Sequence, residues 1–388
     1  MTRLPVAAIV TEYRKNSHAE LLVGKILDGY RHDGGPGPDL RLVSLYVDQF
    51  PANDLSRALA RERGLRLCGT IAEALTLNTS ALQVAGVLLI GEHGTYPRNG
   101  LGQILYPRRR FLAETCAVFA RVGKAVPVFT DKHLAAEWTD AAWMMQRVNE
   151  LGVPLLAGSS LPVTWRTPDL HVPRETPLTA AVQVGYGPLE AYGFHALEAL
   201  QCLLERRVGG ETGVRAVQCL SGAAMWAAVD AGVVDAELLT AAMKLVPSHA
   251  AGDVRTLTQK TNDAALFVLD YHDGTKAAVA MLNGWAYEGD GGAFCWAGRA
   301  RGQVLATLFY LQQPEPFAHF GEQLKAIAAT FRSHHSAYPP ERTLLTTGIL
   351  AACLQSRAAG GSKLPTPHLA IRYTPTDWQH ARGPVPGR

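Results

Sequence analysis

The sequence predicts an α/β protein: an N-terminal doubly wound, Rossmann-like parallel sheet, followed by an α+β domain on a mostly antiparallel open sheet. Three observations predict it. Short apolar runs alternate with helix-period patterns through the first 160 residues; beyond about residue 210 the pattern becomes successive strand-like runs joined by Gly/Asp turns. The chain of 388 residues, 47% hydrophobic, also has the length and apolar content for the cores of about two domains.

In order, "PVAAIV" reads as a buried strand before the helical "SHAELLVGKILDGY", and "RLVSLYVD" precedes "LSRALARERGL". "TIAEALTL" leads to "VAGVLLIG", "RRRFLAETCAVFARVG" to "AVPVFTD", and "DAAWMMQRVNELG" to "VPLLAGS". The segment "TWRTPDLHVPRETPL", rich in proline and charge, reads as a crossing linker, and a helix is expected over about 188–206. Strands are then expected in "GVRAVQCLSG", "DAALFVLDYHDG", "KAAVAMLNGWA", "AFCWAGRA" and "QVLATLFYLQ", with helices in "HFGEQLKAIAATFRS" and "ERTLLTTGILAACLQSRAAG". The expected domains are 1–160, a Rossmann-like domain; 161–365, an α+β substrate and oligomerisation domain; and 366–388, a proline-rich surface tail.

Charge and cysteines narrow the function. Thirty-seven basic residues against thirty-four acidic ones give a net charge of +3, too small to argue for nucleic acid or an anionic membrane. The triplet Arg108, Arg109, Arg110 therefore reads as a solvated helix start. Six scattered cysteines without a CxxC pair read as buried, reduced thiols. No apolar run approaches the roughly 18 residues of a membrane span, and a cytoplasmic protein is the simplest expectation.

In doubly wound sheets ligands bind beyond the carboxyl ends of the strands, near the point where strand order reverses. The strand ends here carry Thr11 and Glu12, Asp48, Glu92 and His93, Asp131 to His133, and Gly158 to Ser160, five polar clusters expected to converge. Lys132 is the leading candidate, since a lysine at a strand end between polar neighbours can donate or accept a proton. His93 and Tyr96, in the loop "GEHGTYPRNG", either face a substrate or close the turn. Arg14 and Lys15 either face the crevice as an anion site, with Thr11 beside them, or are surface charges at a helix start. His93, His133 and His195 with Glu190 or Glu198 have the donor chemistry for a divalent metal, yet no H-x-x-x-H or E-x-x-H spacing supports one, so no metal site is expected.

Residues 123–160, "GKAVPVFTDKHLAAEWTDAAWMMQRVNELGVPLLAGSS", resemble the stretch around the Glu-Lys-Pro signature of the Gfo/Idh/MocA (glucose-fructose oxidoreductase and inositol dehydrogenase) family. "GPLEAYGFHALEALQCL" is similar to the Asp-x-Gly-x-His helix that opens that family's second domain, and "VDQFPANDLSRALARERGLRLCGTIAEAL" fits its second strand, helix and turn. The resemblance implies a first domain that binds NAD or NADP, and a lysine and a histidine that serve hydride transfer at a sugar or polyol carbon. Position by position, the lysine is Lys132, the histidine His195, the signature glutamate Asp131 and its proline His133, while Asp48 matches the acid ending the second strand. Asp131 and Glu190 complete the expected catalytic set; Thr11, Arg14, Lys15 and Asp48 would bind cofactor; His93, Tyr96, His133 and Tyr192 would line the substrate. It also implies a homo-oligomer through the C-terminal sheet.

Two departures qualify this. The spacing G-x-G-x-x-G-x-x-H, counted back from His18, places Val10, Glu12 and Lys15 where the family has glycines that let backbone approach a pyrophosphate. Ala191 replaces the Asp that would share a helix face with the histidine; Glu190 points about 140° away on a 3.6-residue helix unless the helix starts after it, and Glu198 is the better same-face partner of His195. The expected function is an oxidoreductase on a sugar, polyol or related carbohydrate. The alternatives are a dinucleotide-independent lyase, isomerase or hydrolase on the same scaffold, with or without the assistance of a metal, or a non-catalytic carbohydrate-binding protein.

Overall fold

The computed structural model describes residues 2–287, 289, 291–313 and 315–386. The chain divides into two compact units, Met1–Ser159 with Pro316–Pro340, and Ser160–Glu315 with Glu341–Arg388.

The first unit holds a six-stranded sheet of β1 (Leu4–Val10), β2 (Leu40–Val47), β3 (Arg66–Cys68), β4 (Gly86–Ile90), β5 (Val128–Asp131) and β6 (Leu155–Gly158). Its order is β3-β2-β1-β4-β5-β6 and every pairing is parallel. That is the doubly wound order, with the reversal between β1 and β4. The central strands are apolar runs because both faces are covered: Val6 to Val10 and Val87 to Ile90 are all 1% exposed or less.

The helices are α1 (His18–Asp28), α2 (Ser56–Arg63), α3 (Ile71–Thr76), α4 (Arg108–Val122) and α5 (Trp138–Glu150). Ser17 caps α1 by accepting from the Glu20 N–H, and Thr70 caps α3 in the same way from Glu73. Gly64 and Gly123 end α2 and α4 in the left-handed conformation. The helical pattern at Ala318–Ser333, expected in the second domain, belongs to the first unit and packs beside α1. Two features seat it. Gly86 leaves room for the buried Phe331 ring, which a Cβ at 86 would meet at 2.2 Å, and the fully buried Lys25 donates to the carbonyls of Tyr30 (2.8 Å) and Pro316.

The second unit is built on β7 (Arg166–Thr167), β8 (Leu178–Gly185), β9 (Val214–Ser221), β10 (Ala265–Tyr271), β11 (Lys276–Met281), β12 (Gly291–Ala300), β13 (Gln303–Leu311) and β14 (Leu364–Pro365). The order is β14-β9-β10-β11-β8-β12-β13-β7, antiparallel throughout except for β8 with β11. The expected linker contributes β7, and β8, which the sequence pattern did not single out, is the centre of the sheet. The helix α6 (Ala191–Leu204) packs on β8, and the helix Pro340–Ala358 belongs to this unit from Glu341 onward. The segment after residue 365 is pinned at buried points: the Thr366 hydroxyl donates to Val214 O (2.7 Å), the Tyr373 hydroxyl to Glu205 Oε2 (2.8 Å) and the Ala381 N–H to Val163 O (2.9 Å). Among the described residues no helix is long and apolar enough to cross a membrane.

Candidate active site

The carboxyl ends of β4 and β5, beside the first turn of α1, bring together Glu92, Asp131, Lys132 and His18. His18 Nδ1 lies 2.7 Å from Asp131 Oδ2 and 3.2 Å from Glu92 Oε2. Lys132 Nζ lies 3.2 Å from Glu92 Oε1, so the Glu92 carboxylate spans two cationic or ionisable partners. The side chains are largely enclosed, 2% exposed at Asp131, 5% at Lys132, 13% at Glu92 and 17% at His18. The ring of Phe320, on the returning helix, meets His18 edge-on at 4.6 Å.

Local backbone explains how these groups reach one point. The Thr11 hydroxyl donates to the Glu92 carbonyl, tying the end of β1 to the turn after β4. Lys132 adopts a left-handed backbone, φ 67°, directly after β5, and His93 does the same after β4. Such conformations are uncommon for residues with a Cβ and occur where surrounding structure enforces them. Gly91 lets Arg108 pass, since a Cβ there would stand 2.7 Å from Arg108 Cγ.

The electrostatics follow from burial and neighbours. Burial alone would raise the Glu92 carboxyl, but His18, then Lys132, His93 and Arg108, hold it well below the usual carboxylate range. Burial pushes the His93 imidazole down to about 4, with His18, Arg14 and Lys132 adding to it and Glu92 opposing. His133 is held well below its ordinary value, first by burial and then by Arg108. His319 is pushed to about 3 by burial, with His18, Lys25 and Lys132 in the same direction. At neutral pH the site therefore holds an ionised Glu92 among neutral imidazoles at 93, 133 and 319.

Several expected residues take other places. His133 is buried; its Nδ1 donates to Ala135 O (2.9 Å) and its Nε2 accepts from Arg108 Nη1 (3.1 Å). Arg108 is thus only 4% exposed, which corrects the reading of the arginine triplet as solvated; Arg109 pairs with Asp140 at 2.8 Å and Arg110 with Asp48. Asp48 forms a closed network of its own. Its Oδ1 accepts from the Tyr46 hydroxyl (2.7 Å) and from Arg110, and its Oδ2 from the Tyr96 hydroxyl (2.8 Å). Tyr96 is accordingly a partner of Asp48.

In the second unit, Glu190 is the N-cap residue and α6 begins at Ala191. His195 and Tyr192 belong to an aromatic group, Tyr192 stacked on Phe294 at 6.1 Å and His195 6.1 Å from Tyr192. Glu198 is fully buried and accepts from the hydroxyls of Thr343 (3.2 Å) and Thr346 (2.7 Å).

The β1–α1 turn determines how a dinucleotide would fit. Val10 ends β1 and is buried; Glu12, 7% exposed, pairs with Arg14 Nε at 3.2 Å; Lys15 is exposed. Three of the turn's backbone donors are used locally: Arg14 N–H to Ser17 Oγ (3.4 Å), Asn16 N–H to Glu20 Oε2 (3.1 Å) and Ser17 N–H to Arg14 O (3.0 Å). With a carboxylate at the second glycine position and Asp48 engaged on both oxygens, these residues do not fit a dinucleotide held in the glycine-fingerprint manner.

Among the described residues the group of metal-ligating type is His18, Glu92 and Asp131, whose donor atoms all lie within 4.8 Å of one another. His18 served in the sequence only to count the glycine frame; its position, one helical turn past the fingerprint, was the available signal.

No protein-family model and no curated protein matches the chain. Solved structures do. GenD2 from gentamicin A biosynthesis, in complex with NAD, is 14% identical with a TM-score of 0.59 over 94% of this chain and 97% of that one. A probable dehydrogenase from Thermotoga maritima is 12% identical, TM-score 0.58, over 94% and 100%. Scyllo-inositol dehydrogenase from Lactobacillus casei, with NAD(H) and scyllo-inositol, is 10% identical, TM-score 0.56, over 94% and 99%. At these identities the likeness is one of fold, and the fold of this chain is that of the Gfo/Idh/MocA-type dehydrogenases, as the order of its motifs predicts.

Proposed function

We propose that this chain is an enzyme acting on a small polyhydroxylated molecule of the sugar or inositol class, with Lys132 as its proton-transfer group. The observation that carries this reading is the Lys132–Glu92 pair at the carboxyl ends of β5 and β4, close to the strand-order reversal. Glu92, kept ionised, balances the Lys132 ammonium, and the enclosed setting strengthens their interaction. Lys132 would pass a proton to or from a substrate oxygen, while Asp131 fixes the His18 ring beside it. The solved structures that share this fold include scyllo-inositol and myo-inositol dehydrogenases, which supports the substrate class. The role that the motif resemblance gives His195 rests on that resemblance.

A second reading concerns the cofactor, and the β1–α1 turn favours it. The reaction would be a proton-transfer reaction, an isomerisation or elimination, run without a dinucleotide, in place of hydride transfer to NAD or NADP. Titration of the purified protein with NADH and with NADPH, followed by nicotinamide fluorescence, separates the two. Saturable binding well below millimolar cofactor would restore the oxidoreductase reading; none at millimolar concentration supports the second. Turnover of a sugar or inositol substrate that survives Lys132→Ala would overturn both.

A further inference from the structure

The geometry points to a divalent-cation site formed by His18 Nδ1, Glu92 Oε2 and Asp131 Oδ2. The imidazole Nδ1 carries at most one hydrogen, and two carboxylate oxygens face it, at 2.7 and 3.2 Å. If that hydrogen goes to the nearer, Asp131, Glu92 Oε2 is left sealed from solvent with no hydrogen-bond donor among the described residues. A buried carboxylate oxygen without a donor is costly, and it is aimed at the same point as the other two donors.

A cation in place of that proton satisfies all three atoms. Ligands about 2.0–2.2 Å from a transition-metal ion stand roughly 2.8–3.1 Å apart at octahedral angles and roughly 3.3–3.6 Å apart at tetrahedral ones, so the 3.2 Å edge already suits an ion and the 2.7 Å edge would open by a few tenths of an ångström. One imidazole and two carboxylates suit Zn²⁺, Mn²⁺, Co²⁺ or Fe²⁺ rather than a thiolate-seeking metal. The site has the outer support that metal centres use: Lys132 Nζ holds the other oxygen of Glu92, and Thr11 fixes the Glu92 backbone. Three protein donors leave positions on the ion for water or for substrate hydroxyls, where it would act as a Lewis acid. This deepens the proton-transfer reading of the same site, but metal binding is measured without turnover, so each can fail alone.

The test uses the full chain, stripped with EDTA and dialysed against Mn²⁺, Co²⁺ or Zn²⁺ in turn, with bound metal counted by mass spectrometry and the Co²⁺ form examined by visible absorption. One ion per chain is expected for at least one metal, with Co²⁺ bands of a nitrogen and oxygen ligand set. Removing a ligand should cost more than the roughly 10–100-fold loss typical of an outer-shell partner. His18→Ala and Asp131→Asn should therefore each weaken binding by more than about 100-fold, with circular dichroism verifying their folding. Substoichiometric metal in every dialysis overturns the proposal, as does wild-type affinity in folded His18→Ala or Asp131→Asn. Should both variants fail to fold, the Co²⁺ spectrum of the unmodified chain decides: absence of ligand-field bands overturns the proposal.

Discussion

Lys132 reaches Glu92 Oε1 at 3.2 Å from a backbone held at φ 67°, so the residue proposed to move the proton is also the one that pays a conformational cost. A left-handed backbone costs a residue with a Cβ about 1–2 kcal/mol relative to glycine. Lys132→Gly should thus be about 1 kcal/mol more stable than Lys132→Ala in urea denaturation, while both lose roughly 10²–10⁴-fold in kcat. Equal stability of the two variants would mean that the turn imposes no strain.

Much of this was readable in the sequence, for physical reasons that also mark where reading stops. Parallel strands covered on both faces appear as plain apolar runs, and the strand-end rule then brought Glu92, His93, Asp131 and Lys132 to one edge of the sheet. Nothing local in the sequence marks His18, because its partner Asp131 lies 113 residues away. Arg108 looked like its neighbours in the triplet; only the space left by Gly91 turns it inward to His133. The helix Ala318–Ser333 was visible as a pattern, but which sheet it covers is decided by the fit of Phe331 over Gly86.

A methyl group at 91 would meet Arg108 Cγ at 2.7 Å, displacing the arginine that hydrogen-bonds His133 and contributes to holding Glu92 ionised. Gly91→Ala should cost about 1–3 kcal/mol, the usual range for overpacking. In an Arg108→Ala background the same substitution should cost much less, since the clash partner is gone; denaturation of the four proteins measures the difference.

Asp48 distinguishes a structural acid from a cofactor-binding one. An acid free to hold a ribose would, when changed to asparagine, lower cofactor affinity and leave stability nearly unchanged. Here both oxygens are engaged by Tyr46, Tyr96 and Arg110, which hold the Asp48 carboxyl below its usual range against the opposing effect of burial. Asp48→Asn is expected to lower stability by about 1–3 kcal/mol, the cost of weakening hydrogen bonds to a charged group. Nicotinamide fluorescence should be indifferent to it.

His380, its side chain 2% exposed, pairs with Asp169 through Nε2 next to the point where Ala381 bonds Val163. Burial foremost, then Arg166, with Arg382 adding and Asp169 opposing, pushes its imidazole down to about 4. The folded value lies below the ordinary value of about 6.5, so protonation favours the unfolded chain. The contribution of the neutral ring is complete above pH 6.5, erodes as pH falls below it, and is exhausted near pH 4, amounting to about 3 kcal/mol at most. His380→Asn should remove its share, about 3 kcal/mol at most, of the fall in stability between pH 6.5 and 4, leaving the share of His93, His133 and His319 in place. If the segment opens as a local unit, limited proteolysis after residue 365 should accelerate in the wild type over the same interval, and in His380→Asn be nearly independent of pH. A wild-type profile as flat as the variant's would mean that the His380 imidazole is not held neutral by its surroundings.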